Sequence, residues 1–283
     1  DLSPRQPDVK PEWNFSPEAL EEKIGAGEAP HAVAWDDLTE EQRDFQARKM
    51  EVHAAMIHRM DREIGRVVEK LKAMGEFEDT VIMFVSDNGA SAEQIIRGDG
   101  HEKSARPGSG DSYLCLGPGW STAANTPFRY HKSWVHEGGV ASPLIVHWPA
   151  GMEGGAELRG APGHFVDILP TVLDIAGVPD SPDWRGADAP PLAGVSLAPA
   201  LHEDRDIPRK HIFYDHIGHR ALRMGKWKLV AVKDGEWELY DMEQDRSELH
   251  NLAAERPEKV REMADVWKRC KKRFVEQAGV ERG

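Results

Sequence analysis

Cysteine is scarce in this chain: 283 residues hold two, Cys115 and Cys270, far apart and in no Cys-x-x-Cys or Cys/His cluster. That excludes a disulfide framework and a thiolate zinc site, and nothing in the spacing supports pairing of the two. Long apolar runs are missing as well. No uninterrupted stretch approaches the ~18 residues a bilayer span needs, so no membrane-spanning helix is expected. Positive charge is also short, with 36 Lys and Arg against 49 Asp and Glu and a net charge of -13. Residues 1–199 carry 18 basic and 32 acidic side chains, whereas 200–283 carry 18 and 17. An acidic body lacks the clustered cations that phosphate backbones require, so nucleic acid is not the expected partner. The basic run Lys268-Arg269 and Lys271-Lys272-Arg273 reads as the solvated face of a terminal helix. The opening Asp1-Leu2-Ser3-Pro4-Arg5 has no initiator Met, basic n-region or apolar h-region, and reads as the downstream piece of something longer.

What is present fits a globular protein with a substantial core: 40% hydrophobic and 30% charged residues, no internal repeats, and a length suited to one large domain with a smaller appendage. Residues 1–38 show no sustained period and read as an extended loop with one short helix after Ser16-Pro17-Glu18. Thr39-Glu40-Glu41-Gln42 has the form of a capping box. Apolar residues then recur at helical spacing from Met50 through Met56, Ile57, Met60, Ile64, Val67 and Leu71 to the stop at Gly75, predicting a helix over 39–74.

Thr80–Ser86 and Pro143–Trp148 are β-branched and apolar runs that read as buried strands. About 55 residues rich in Gly, Ser, His and Pro separate them, a length that favours a functional loop. Phe165 to Ala176 reads as a short helix stopped by Gly177, with Asp167 offsetting its dipole, and a Pro-rich connector follows. The domain boundary is placed near residue 200. Beyond it, 220–224, 228–232 and 236–240 are short strands, and Lys233-Asp234-Gly235 reads as a hairpin turn with Gly at positive φ. A closing helix begins at Pro257 with the stripe Val260, Met263, Ala264, Trp267 and Phe274.

Two constellations carry chemistry. Ser86-Asp87-Asn88-Gly89 places a carboxylate and a carboxamide just past a strand end, where open α/β sheets locate their ligand sites. Hard oxygens of this kind suit Ca²⁺ or Mg²⁺ rather than zinc, yet Asp-Asn-Gly is also a common turn with Asp capping, and the local sequence leaves both open. The second, from Thr126 to Val140, holds Lys132, His131, His136 and Glu137 ahead of Gly138-Gly139, so cations can converge beside a backbone able to approach an oxyanion. A solvated surface loop is the competing reading.

Together these motifs, with Met50–Met56, Gly117-Pro118-Gly119-Trp120, Asp167–Val178, Arg220–Leu229, Glu238–Met242 and Asn251-Leu252-Ala253, resemble the sulfatase family of the alkaline-phosphatase superfamily, bacterial arylsulfatases above all. The resemblance implies an α/β fold: part of an alkaline-phosphatase-like mixed sheet flanked by helices over 1–200, and a small C-terminal α+β domain, with an antiparallel sheet and closing helix, over 201–283. It implies that Asp87 and Asn88 are ligands of an active-site Ca²⁺, that Lys132 contacts the sulfate and stabilises the leaving oxygen, and that a sulfate ester is the substrate. A periplasmic or extracellular location follows from the family alone. His101 and His136 read as loop histidines with ordinary hydrogen bonds. Ala29-Pro30-His31 is similar to a substrate-binding motif but lies too near the long helix to take that role. The tryptophans read as packing residues, with Trp120 the best exception.

One departure stands out. The Cys-x-Pro-x-Arg or Ser-x-Pro-x-Arg sequence that yields the formylglycine nucleophile, and the paired-aspartate motif, are not in this sequence. The expectation is that both belong to a missing N-terminal half, that this chain alone is inactive, and that apolar faces are left for that partner to cover. The alternatives are a phosphate or phosphonate ester hydrolase of the same superfamily, and a non-catalytic binding module.

Overall fold

The computed structural model describes residues 15–94, 101–152, 155, 157–180 and 191–279. Helix α1 (Pro17–Lys23) follows the Ser16 cap, and a 3-10 turn at Trp35–Asp37 leads to α2 (Glu40–Met74). The capping box forms as the sequence predicts: Thr39 Oγ1 accepts from the Gln42 N–H and the Gln42 side chain accepts from the Thr39 N–H. Gly75 closes the helix at φ 75°.

Strand β1 (Ile82–Val85) pairs antiparallel with β2 (Leu144–His147), placing Phe84 opposite Ile145. Between them, where the sequence suggested little regular structure, lie α3 (Gly117–Asn125) and the single turn α4 (Glu137–Val140). A 3-10 turn at Phe165–Asp167 enters α5 (Ile168–Ile175), and α6 (Ala198–His202) follows. Asp167 is fully buried and structural: its carboxylate accepts from the His164 and Val195 N–H groups and pairs with Arg209 at 2.7 Å.

Four antiparallel strands follow in sequential order: β3 (Ile212–His216), which the sequence reading missed, β4 (His219–Met224), β5 (Trp227–Ala231) and β6 (Glu238–Asp241). Successive residues face opposite sides. Leu222, Leu229 and Leu239 turn to α7 (Pro257–Gln277), where Met263 and Ala264 meet them and Trp267 stacks on Phe213. Each such side chain contributes about 1.5–3 kcal/mol on burial. Ala221, Val230 and Tyr240 turn the other way and enclose Val135 of the 126–140 loop. In the β5–β6 turn Asp234, not Gly235, takes positive φ (58°). Both cysteines are free, and Cys270 Sγ lies 3.1 Å from His211 Nε2.

The buried-strand expectation holds only in part. Phe84 and Ile145 are 43% and 60% exposed, and Met56, Ile57, Met60, Ile64 and Val67 of α2 are exposed too, so the sheet and the long helix present uncovered apolar faces. Among the described residues no helix is long and apolar enough to cross a membrane.

Candidate active site

Asp87 and Asn88 lie just past β1, on a loop whose backbone is pinned from several sides. The Asn88 carbonyl accepts from Ser86 Oγ (2.9 Å) and Ser142 Oγ (3.2 Å), and the Gly89 N–H donates to the Gly139 carbonyl at 3.0 Å. A Cβ on Gly89 would stand 1.8 Å from the Gly138 carbonyl oxygen, so close approach of two backbones demands glycine here. The turn differs in two respects from the Asp-capped, positive-φ form that the sequence allows. Gly89 is not among the positive-φ residues, and no hydrogen bond or ion pair engages the side chains of Asp87 or Asn88 among the described residues.

The 126–140 loop is joined to this turn through Ala90. The Ala90 N–H donates to Asn125 Oδ1 (2.9 Å), at the end of α3, and the Lys132 N–H donates to the Ala90 carbonyl (3.0 Å). Lys132 is thus held two residues from Asn88 across one backbone bond. Its Nζ pairs with Glu93 at 3.1 Å, with the lysine side chain 34% exposed. Tyr130 and Ser133, on either side of it, have φ of 60° and 90°, conformations that cost about 1–3 kcal/mol each and persist only when surroundings enforce them.

Enforcement comes from the C-terminal sheet. Lys228, fully enclosed on the loop-facing side of β5, pairs with Glu137 (2.8 Å) and Glu248 (2.9 Å), and the Glu137 N–H donates to Glu248 Oε2. Burial alone would lower the Lys228 pKa and raise that of Glu137; the facing opposite charges win, so the lysine is pushed up and the glutamate down. Arg129 donates to Glu238, Tyr240 Oη and the Glu248 carbonyl. Burial pushes Glu238 up, but hydrogen bonds from His136 and Tyr240, with the charges of His136 and Arg129, hold it down to about 2. His136 is fully buried with Nε2 3.4 Å from Glu238, and His101 Nδ1 accepts from the Tyr113 N–H; the other ring nitrogen of each, His136 Nδ1 and His101 Nε2, is buried without a hydrogen-bond partner. Gly138 and Gly139 approach the loop's own carbonyls, of Arg129, Tyr130 and Trp134, rather than forming an open cradle.

Sequence reasoning singled out Asp87, Asn88 and Lys132 and assigned no role to the residues that brace their loops: Asn125, Glu93, Arg129, Lys228, Glu238 and Glu248. Asn125, next to Thr126-Pro127 at a helix end, was the one local signal available. The donor chemistry of Asp87 and Asn88 fits a hard cation, yet two residues do not fill the six to eight oxygens Ca²⁺ takes. Among the described residues no group of three or more His, Cys, Asp or Glu is placed to hold a metal.

The family model described as Sulfatase matches residues 26–178, and one described as N-sulphoglucosamine sulphohydrolase, C-terminal, matches residues 128–278. An uncharacterized sulfatase of Schizosaccharomyces pombe is 35% identical over 217 residues, covering 70% of this chain and 38% of that protein. An arylsulfatase of Klebsiella aerogenes is 31% identical over 186 residues, covering 60% and 39%. The crystal structure of Ps i-CgsB in complex with k-i-k-neocarrahexaose has a TM-score of 0.56 at 23% identity, covering 76% of this chain and 42% of that one, a likeness of fold. The chain spans about two fifths of the length of these two relatives. With more than half of its residues under the family model, and with the mixed α/β architecture of its structural neighbours, the chain belongs to the sulfatase family of the alkaline-phosphatase-like superfamily.

Proposed function

We propose that this chain supplies the metal-binding and leaving-group side of a sulfate-ester hydrolase of the arylsulfatase type. The observation that supports the reading is the backbone bond from Lys132 to Ala90, which ties the loop of Lys132 to the loop of Asp87 and Asn88. Asp87 and Asn88 would hold Ca²⁺ as two of its ligands. When bound, the ion offsets negative charge growing on the sulfuryl oxygens. Lys132 exchanges Glu93 for the ester, binds the sulfate and donates toward the leaving oxygen as it gains charge in a water-poor site. Asn125 and the Lys228 cluster hold the backbone on which that lysine is carried.

The nucleophile and the remaining ligands come from a part corresponding to the N-terminal share of the relatives, which also packs on the uncovered faces of α2, β1 and β2. Periplasmic or extracellular residence is the location this reading favours. The missing formylglycine motif favours one second reading, a binding module that keeps the fold without turnover.

Hydrolysis of 4-nitrophenyl sulfate is the test, run on this chain alone and on the gene product as its source organism makes it, with calcium binding followed by calorimetry. The chain alone is expected to be silent and the whole product active. In the latter, Lys132→Ala should lower kcat by about 10²–10³-fold, and Asp87→Ala should weaken calcium binding. Turnover by the chain alone would refute the divided site, and a silent whole product would favour the binding module.

A further inference from the structure

Residues 28–38, which look uninformative in sequence, form one wall of a cavity of about 300 Å³ whose other walls are the start of α2, helix α3 and the loop from Thr126 to Tyr130. Its ring-bearing walls are Trp35, Trp120, Phe128 and Tyr130, with the Trp35 and Trp120 centroids 5.8 Å apart and tilted at 49°. Trp120 is oriented by its indole N–H, which donates to the Gln46 carbonyl at 2.9 Å. Trp35 remains 43% exposed, leaving an aromatic edge open at the rim.

Apart from the His31 imidazole, which also lines the cavity, the polar groups of the wall are spent internally. Glu28 is paired with Lys49 at 2.7 Å, both side chains almost fully buried, and its carboxylate also accepts from Gln46 Nε2 and the Ala29 N–H. Thr122 and Thr126 donate to the carbonyls of Pro118 and Thr122. A charged guest would find no unpaired group but the His31 imidazole to answer it and would lose its hydration, whereas a flat apolar ring meets four aromatic side chains at a volume in the range of small-molecule sites.

We propose that this cavity binds a neutral, flat aromatic ring. Tyr130 lies two residues from Lys132 on the same pinned loop, and α3, which lines the cavity, ends in the Asn125 that holds Ala90, so the elements that carry the candidate sulfate site also wall the cavity. On the arylsulfatase reading above, on which this step rests, the ring is the aryl part of the ester; a free aromatic ligand is the other source of the same chemistry.

The experiment titrates this chain with 2-naphthol, which needs neither metal nor nucleophile, by calorimetry and tryptophan fluorescence. Saturable one-to-one binding is expected. Trp35→Ala, at a half-exposed position that leaves the fold intact, should weaken it at least tenfold, and Val33→Trp, which adds bulk to the wall, should abolish it. No saturable binding, or equal affinity in Trp35→Ala with an unchanged melting temperature, overturns the proposal. In the whole gene product Trp35→Ala should raise KM for 2-naphthyl sulfate at least fivefold with kcat little changed. An unchanged KM beside lost naphthol binding overturns the assignment of the ring to substrate. Failure of the whole product to turn over any sulfate ester sinks the hydrolase reading and leaves the naphthol result standing.

Discussion

A single carboxylate, Glu238, joins the loop of Lys132 to the C-terminal sheet through Arg129, His136 and Tyr240. Its pKa is lowered from 4.5 to about 2, so its stabilisation is fully present above the unfolded-state value and is lost as pH falls through the folded one. The expected outcome is an acid limb of unfolding between about pH 4.5 and 2, sampled by circular dichroism, that becomes flatter in Glu238→Gln. Glu137, also lowered, titrates in the same direction, so the variant should retain a residual limb. Residues of this kind were illegible in the sequence. Asp87 and Asn88 could be read because they sit beside a strand end, and Lys132 because it lies close to a Gly pair. Glu238 and Lys228 are 109 and 91 residues away from the loop residues they meet, Arg129 and Glu137, and the runs that contain them give no sign of that pairing.

Among the elements, those with their own punctuation were legible. Helix α2 carries a cap at one end and a glycine at the other, and α7 carries Pro257 and an apolar stripe, so their bounds fall almost where the pattern puts them. Strand β3 escaped because Ile212–His216 contains no alternation clear of its neighbours, and α3 because Gly-Pro-Gly reads as a breaker while Pro118 in fact occupies its first turn. The element-scale prediction concerns β5. Lys228→Met removes the cation between Glu137 and Glu248, and leaving those carboxylates buried without it should cost roughly 3–5 kcal/mol. Hydrogen exchange should quicken first in residues 129–140, not in α7. Uniform quickening would mean that the cluster serves the fold generally rather than the loop.

At the scale of the molecule, the apolar faces set its behaviour in solution. Met56, Ile57, Met60 and Val67 on α2, Phe84 and Ile145 on the two-stranded sheet, and Leu169 and Val172 on α5 are all exposed. Exposed apolar faces of that kind bind partners or drive association. Sedimentation of this chain should show concentration-dependent association, and Val67→Glu with Ile145→Lys should reduce it without lowering the melting temperature. If the pair leaves association unchanged, these faces are not what drives it. The division near residue 200 is our proposal for the architecture, and the two parts it separates meet through Val135 and the Glu137 cluster.

That junction has a consequence for how the protein is made. Glu137 leaves the ribosome long before its partners, since Lys228 and Glu248 follow 91 and 111 residues later. At roughly 5–20 residues per second, the strand-end turn and its lysine wait on the order of 5–20 s for the strand that fixes them. A nascent chain paused anywhere in that interval displays the loop without its restraint, so rare codons between positions 140 and 228 would lengthen the period in which the half-built centre is open to proteases and chaperones.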